Sequence, residues 1–500
     1  MIKQFLLLIS ICCITFSINA QEKVIELEDS FSFPREIPKQ SYSVPNQING
    51  ELGIVFQEKK RLKAYLFDAN HQIKSHILTK TLPKKYNDLI GYTIYEDLYA
   101  IFFSNAKKTK FGVLQLDFNN QKTEVVYLKE FNLSGEKFIE AINYKNQIHV
   151  LASKNNSSDI YIYKFNKDLS NEKTLVSLKE VEFESKSMPG VMTKASQLFK
   201  QGAKELFNST VQISKIDHHY PSTLETTSKK LKLYQQDNIA VLGFDHNIEE
   251  TKLCYLNLED YSTSFKTFDK PSKKEEGFKK SNSFLYKDEL FQIASSSSKM
   301  KFIVSNVTSG EIIKEYAINK KDSITFKNSP IIQEGSMTFF GFSEDQTREM
   351  EKTTKFLRKI SQGNLGISVA KGEKGYNIIL GGIQEIRTGS GAGFGSGFGS
   401  GFGTSVSSGV PVYFNVGFNP ASMEYGRYTS SKQTYIKCLF DTNMEHLQGK
   451  FETNSFDRLR KFERKISYFM AKNIFTHKGK LYYGLFHTKD KVYRLYQFEK

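Results

Sequence analysis

Glu96-Asp97 followed by Leu98-Tyr99-Ala100-Ile101-Phe102 is the stretch whose reading decides the fold. A short polar turn leads into an apolar stretch rich in β-formers, which is the grammar of a β-hairpin. Six other blocks share it. Asn49-Gly50 precedes Glu51–Phe56, Lys145-Asn146 precedes Gln147–Leu151, and Gln236-Asp237 precedes Asn238–Leu242. Lys287-Asp288 precedes Glu289–Ile293, Lys374-Gly375 precedes Tyr376–Leu380, and Lys478-Gly479 precedes Lys480–Leu485.

Most blocks are followed by a second alternating stretch that closes on an apolar residue: Phe67, Phe118, Phe165, Leu258, Val307, Phe440 and Phe498. These anchors are 51, 47, 93, 49, 133 and 58 residues apart, so four of the six steps lie near one period. The long steps hold extra material. Residues 188–229 open with Met188-Pro189-Gly190 and place Val191, Ala195, Leu198, Phe199 and Leu206 on one helical face. Residues 343–360 read as a helix, with Ser343 and Gln346 as a capping box. A Gly-rich insertion follows at 384–433.

A unit of about 50 residues with several short antiparallel strands cannot bury both faces of its own sheet, so copies must stack. The expected fold is all-β, a β-propeller of about seven blades of antiparallel strands with short helical and Gly-rich insertions. Residues 21–500 read as one such domain, and the stretch from Val24–Leu27 through Phe31-Ser32-Phe33 would add an outer strand to the last blade, formed by residues 470–500. No Trp occurs, so the Trp-Asp signature of WD repeats is excluded, and the paired glycines of kelch repeats do not recur. Another all-β arrangement or an outer-membrane barrel remains open. Against the barrel, the strands are short, Lys enters many of them, and the chain ends on Glu499-Lys500.

The start of the chain supplies an address. Lys3 precedes the apolar run beginning Phe5-Leu6-Leu7-Leu8-Ile9, and small Ala20 stands where signal peptidase would cut. Residues 1–20 are therefore expected to be a cleaved signal peptide, and the protein periplasmic or secreted. The run is too short to span a bilayer, and Ile11 and Cys12 stand where a lipoprotein signal would carry a small residue. No later stretch approaches eighteen consecutive apolar residues, so no membrane span is expected after cleavage.

The net charge of +16 invites acidic partners, but 60 of the 70 basic residues are Lys. Dedicated phosphate and carboxylate sites favour the planar fork of Arg, so the surplus reads as compositional bias, and no nucleic-acid partner is expected. Cys254 and Cys438 sit in strand-like contexts and read as two buried free thiols.

From Gly389 to Gly403 every second residue is glycine, with Phe394, Phe398 and Phe402 among the alternate positions. In an extended chain these three phenylalanines share one face about 13 Å apart, at ~3.3 Å per residue. They are a candidate contact tip, set against a plain low-complexity loop. A last predicted helix, Ser455–Met470, places Leu459, Phe462, Ile466 and Phe469 on one face and crowds Arg458, Arg460 and Arg464 on the rest. That helix reads as a connector with a solvated basic face, or as a basic contact helix for an acidic partner or anionic lipid.

Chemistry is harder to find. No phosphate loop, His-Glu-x-x-His, EF-hand, paired Cys-x-x-Cys or Gly-x-Ser-x-Gly pattern occurs, so no catalytic residue, cofactor or metal site is assigned. Asp217-His218-His219-Tyr220 is the densest group of potential ligands, but neighbouring side chains of an extended chain diverge, which makes a polar loop the simpler reading. Asp97, Asp237 and Asp288 read as turn formers. The expected function is a non-catalytic binding or scaffolding role in the cell envelope, with an envelope protein or glycan as partner. The alternatives are an envelope glycan-processing enzyme with its site at the propeller channel mouth, and a peripheral membrane contact.

Overall fold

The computed structural model describes residues 21–28, 37–184, 190–199, 213–272, 277–339, 342–383, 415–416, 418–430 and 433–498. The predicted signal peptide and the three ladder phenylalanines lie outside these residues. Strands take up 54% of the described residues and helices 10%, so the fold is all-β. No helix among the described residues is long and apolar enough to cross a membrane.

Seven sheets of four or five strands account for almost all of the strand structure. Sheet I is Gln40–Pro45, Leu52–Gln57, Arg61–Phe67 and Ile73–Lys80. Sheet II runs Asp88–Tyr95, Leu98–Ser104, Phe111–Asp117 and Lys122–Tyr127, and sheet III Glu136–Tyr144, Gln147–Lys154, Asp159–Phe165 and Asn171–Ser177. Sheet IV comprises Leu231–Gln236, Ile239–Phe244, Glu250–Asn257 and Thr263–Asp269, and sheet V Lys280–Tyr286, Glu289–Ser295, Lys299–Asn306 and Ile312–Asn319. In sheet VII the strands Phe469–His477, Lys480–His487 and Val492–Phe498 are completed by the N-terminal strand Gln21–Leu27, which pairs antiparallel with Val492–Phe498. All seven turns singled out in the sequence join the first and second strands of a sheet, and all seven closing residues end or follow a third strand and are buried.

Sheet VI departs from this order. Its first three strands are Asn364–Lys371, Tyr376–Ile383 and Gln433–Phe440, but its outer strands, Ile331–Phe339 and Phe342–Met350, precede them in the chain. The predicted helix over 343–360 is therefore wrong in its first half. Residues up to Met350 form a strand because they pair along their whole length with Ile331–Phe339, and helix begins only at Thr353, running to Gln362. Hydrogen bonding to a preceding strand outweighs a helix-compatible pattern. The same arrangement accounts for part of the 133-residue step, since the chain lays down the outer hairpin of sheet VI before its first strand, and the segment between Ile383 and Gln433 accounts for most of the rest. The last predicted helix is also shortened to Ser455–Glu463, capped by Asn454 and Asp457, and Phe469 and Met470 belong to the next strand. Among the described residues of 188–229 the expected helical face is helical only at Ala195–Leu198, with Val191 exposed and Leu206 outside those residues, and a second short helix runs Leu224–Thr227.

In sheets I to V the last strand is the least buried. Asp88–Tyr95 is buried almost throughout, whereas Lys122–Tyr127 has no buried residue. Consecutive sheets are tied by hydrogen bonds. Tyr92 Oη donates to Pro45 O (2.9 Å), Gln235 Nε2 to Asn143 O (2.8 Å), and Leu285 N to Tyr234 Oη (3.2 Å). Asn282 Nδ2 reaches Leu365 O between sheets V and VI, and Ser41 Oγ donates to Ala471 O (2.7 Å) between sheets I and VII. Beside sheet VII, Phe456 and Leu459 of the Ser455–Glu463 helix cluster with Tyr425, Tyr483, Leu485 and Phe498. Gly91 marks the close approach of sheets II and III: a Cβ there would lie 2.4 Å from Ile148 Cδ1. Cys254 and Cys438 are free and buried in strand interiors, and burial pushes the Cys254 thiol up to about 12.

Candidate functional site

The first strands of sheets I, II, III, IV and VII converge on a recess of about 370 Å³. Two inserted segments fill the space beside it. Ser214–Ile216 pairs parallel with the first strand of sheet IV, and Asn415–Val416 pairs parallel with that of sheet II. Phe418, Asn419 and Pro420 then contribute to the recess wall before the Ala421–Ser430 helix. Phe418 packs edge-on against Tyr92 at 5.4 Å, Asn419 Nδ2 donates to Ser43 O (2.6 Å), and Ser422 Oγ exchanges hydrogen bonds with the backbone of Ile474. The insertion is thereby pinned to sheets I, II and VII at once.

The rim is built by turn chemistry. Asn46 Oδ1 accepts from Ile48 N (3.0 Å) and Asn49 N (3.1 Å), an Asx-type turn that Gly50 completes at φ +80°. Asn146 Nδ2 donates to Asn46 Oδ1 (2.7 Å), while Asn146 Oδ1 accepts from Gln47 N (2.7 Å). This amide clasp holds the first turn of sheet I against that of sheet III.

Asp217 and His219 lie on the same wall. Asp217 Oδ1 accepts from His219 N (2.9 Å) and lies 2.5 Å from His219 Nδ1, and Thr476 Oγ1 donates to Asp217 Oδ2 (3.0 Å). Burial would raise the Asp217 carboxyl, but the hydrogen bonds and charge of His219, with help from Thr476, hold it below the ordinary carboxylate range. His218 points the other way. Its Nε2 meets Leu285 O at 3.0 Å and its ring packs on Tyr286, where burial lowers its pKa to about 4. Asp217 and His218 diverge, but the segment is a turn rather than extended, and Asp217 and His219 come together where a polar loop was the simpler reading.

Two lysines at the recess are engaged by acids. Lys145 Nζ pairs with Glu259 (2.7 Å), and Lys215 Nζ pairs with Glu140 (3.3 Å) while donating to Ala141 O (2.6 Å). Amide, hydroxyl and aromatic groups, among them Gln47, Asn143, Gln235, Thr476, Tyr144 and Phe475, share the lining with apolar side chains and with Asp217, His219 and Asp237. Asp237, expected only to form a turn, also lines it, whereas Asp97 pairs with Lys74 (2.8 Å) away from it. Among the described residues no group of three or more His, Cys, Asp or Glu is placed to hold a metal ion.

The basic helix residues are elsewhere. Arg458 and Arg460 are half-buried, Arg458 Nη1 donates to Thr453 O (3.0 Å), and only Arg464 is exposed. Phe394, Phe398 and Phe402 lie outside the described residues, in the segment preceding Asn415. Sequence reasoning missed Gln47, Asn143, Gln235 and Asn419, because they come from three sheets and an insertion and share no spacing. The available signals were Asn46 and Asn146 at turn positions and the Phe418-Asn419-Pro420 run after the glycine ladder.

No protein-family model and no curated protein sequence matches the chain. Among solved structures it is similar to the apocarotenoid oxygenase of Synechocystis, at 6% identity and a TM-score of 0.27 over 56% of this chain. The match spans 61% of that enzyme's length. A second similarity is to AofleA from Arthrobotrys oligospora, at 8% identity and a TM-score of 0.24, covering 73% of this chain and 84% of that one.

Proposed function

We propose that the seven sheets are the blades of a β-propeller, closed by the pairing of Gln21–Leu27 with Val492–Phe498, and that the recess among their first strands binds a small polar ligand. The pairing of the first described strand with the last, the low burial of the outer strands and the contacts between neighbouring sheets support this reading. The protein is then an exported, non-catalytic binding or scaffolding module of the cell envelope, with residues 1–20 removed on export. The observation that carries the binding reading is the lining itself: amides and hydroxyls from four sheets beside aromatic rings, with the adjacent lysines engaged by acids. Such a surface suits a neutral saccharide or a short polar peptide better than a phosphate ligand.

A glycan-processing enzyme at the same mouth is the second reading, and the Asp217–His219 pair favours it. Weighing against it, glycoside hydrolysis asks for one carboxyl held protonated near neutral pH, and Asp217 is pushed the other way. Glu424 is a carboxyl that burial does raise, but its oxygens are taken by Thr223 N and Thr226 Oγ1.

Titrating purified protein with a panel of neutral envelope oligosaccharides, by calorimetry and by assay for new reducing ends, separates the readings. The binding reading expects heat of binding without new ends, weakened in Asn143→Ala and Gln235→Ala. New reducing ends that vanish in His219→Ala would overturn it in favour of the enzyme. Mass spectrometry of the exported form tests the cleavage, with Gln21 expected at the N-terminus.

A further inference from the structure

A second recess, of about 360 Å³, opens at the seam between sheets II and III. Lys107, Lys108 and Thr109 reach it from the turn between the second and third strands of sheet II. Asn132, Ser134, Lys137 and Phe138 reach it from the start of sheet III. Its charges do not cancel. Lys108 pairs with the nearly buried Asp88 and lies 5.5 Å from the centre of the Phe138 ring. Glu136 is held by Lys173 Nζ (2.7 Å) and Tyr163 Oη (2.6 Å). Glu136, the carboxylate of the recess lining, and Asp88, which pairs with Lys108, are thus both engaged, and Lys107 and Lys137 have no acidic partner among the described residues.

The polar groups between the two lysines suit the same kind of ligand. Thr109 Oγ1 accepts from Asn105 Nδ2 (2.9 Å), which leaves its hydroxyl proton to donate. Asn132 Oδ1 accepts from Ser134 N (3.2 Å), which turns the Asn132 amide so that its NH₂ remains a donor beside the Ser134 hydroxyl. Two unneutralised ammonium groups with hydroxyl and amide donors in a concave site match a compact oxyanion. A nucleic-acid strand would want open aromatic faces for base stacking, and the one ring here lies under Lys108.

We propose that this seam is an oxyanion subsite for the acidic groups of a polysaccharide, with Lys107 and Lys137 as its cationic walls and Thr109, Asn132 and Ser134 as its donors. It is separate from the neutral recess and does not depend on what that recess binds. Carboxylate or sulfate carried on a sugar chain and free inorganic phosphate share the recognising chemistry, so the test distinguishes the sources.

Calorimetric titration would compare a galacturonate oligomer, a sulfated oligosaccharide of equal length, a neutral dextran oligomer and inorganic phosphate. The expected result is binding of an acidic oligomer but not of dextran, falling with added salt. The Lys107→Ala/Lys137→Ala protein should lose about tenfold in affinity. Its melting temperature should stay unchanged, because neither lysine has an acidic partner among the described residues. Binding of phosphate alone would overturn the polysaccharide assignment. No binding of any anion, or equal binding by the double variant, would overturn the subsite.

Discussion

Two carboxylates, Asp217 at the central recess and Asp245 in the body of the molecule, face similar chemistry and come to opposite ends. Asp245 is 1% exposed, and its Oδ2 pairs with Lys232 Nζ (2.7 Å) and its Oδ1 with Lys270 Nζ (2.9 Å). Thr251 and Ser283 hydroxyls complete its shell, and Lys232 passes the connection on to Asn282, which reaches Leu365 O. That chain locks sheets IV, V and VI together. Burial would raise the Asp245 carboxyl, but the lysines beside it hold it well below its ordinary range. Asp217 has the ring and backbone N–H of His219 and one hydroxyl, and its side chain keeps 24% exposure. Equal charges therefore do different jobs according to closure: complete internal satisfaction makes a structural clamp, and partial satisfaction leaves Asp217 facing open space, where we propose that a ligand binds.

The contrast breaks most visibly at Asp245. Asp245→Asn would leave two buried ammonium groups without their anion, and urea unfolding should show a loss of about 3–5 kcal/mol. A loss below about 1 kcal/mol would mean that the clamp is not what joins the three sheets.

Acid should come next. Burial lowers the pKa values of His149, His218 and His246 to about 4, so each is held neutral in the fold. Because the unfolded chain binds these protons at higher pH, stability is complete above pH ~6.5 and declines as pH falls toward 4. His149, 3% exposed, should contribute roughly 3 kcal/mol of that decline and the other two less. Melting temperatures from pH 7 to pH 4.5 check this, and a flat profile would refute it.

At the open site the effect on the fold should shrink and the effect on binding should grow. Asp217→Asn keeps an acceptor for the Thr476 hydroxyl but removes the charge beside His219, so about 1 kcal/mol of stability should be lost. Saccharide affinity measured on the same sample should fall by a larger factor than in Asp245 variants that remain folded. Smallest of all, Arg464→Ala on the exposed end of its helix should shift stability by less than about 0.5 kcal/mol in the same urea assay.

Much of this molecule was legible from local rules. A two-residue turn with Asn, Asp, Gly or Lys sets the register of the strands that flank it, and the left-handed backbone at Lys145, Asn146, Asp237 and Lys287 shows those turns formed where the residues announced them. Buried third-strand ends such as Phe165 and Phe440 were visible for the same reason: one apolar side chain closes one sheet. The Ser343–Ile360 segment was misread because strand pairing with Ile331–Phe339 is a choice made by a neighbour, and no pattern internal to the segment records it. The recess was illegible for a related reason. Gln47, Asn143, Gln235 and Asn419 are ordinary polar residues until the sheets converge.

The sequence by itself determined the hairpins, their turns, the apolar closing residues and the strand that joins the two ends, because each depends on contacts within a few residues or on one alternating pattern. Only the tertiary structure decided the unusual strand order of sheet VI, the seating of Phe418–Pro420 beside the first strands, and the division of carboxylates into a closed clamp and an open site. Those outcomes depend on burial and on partners hundreds of residues apart, which sequence spacing does not encode.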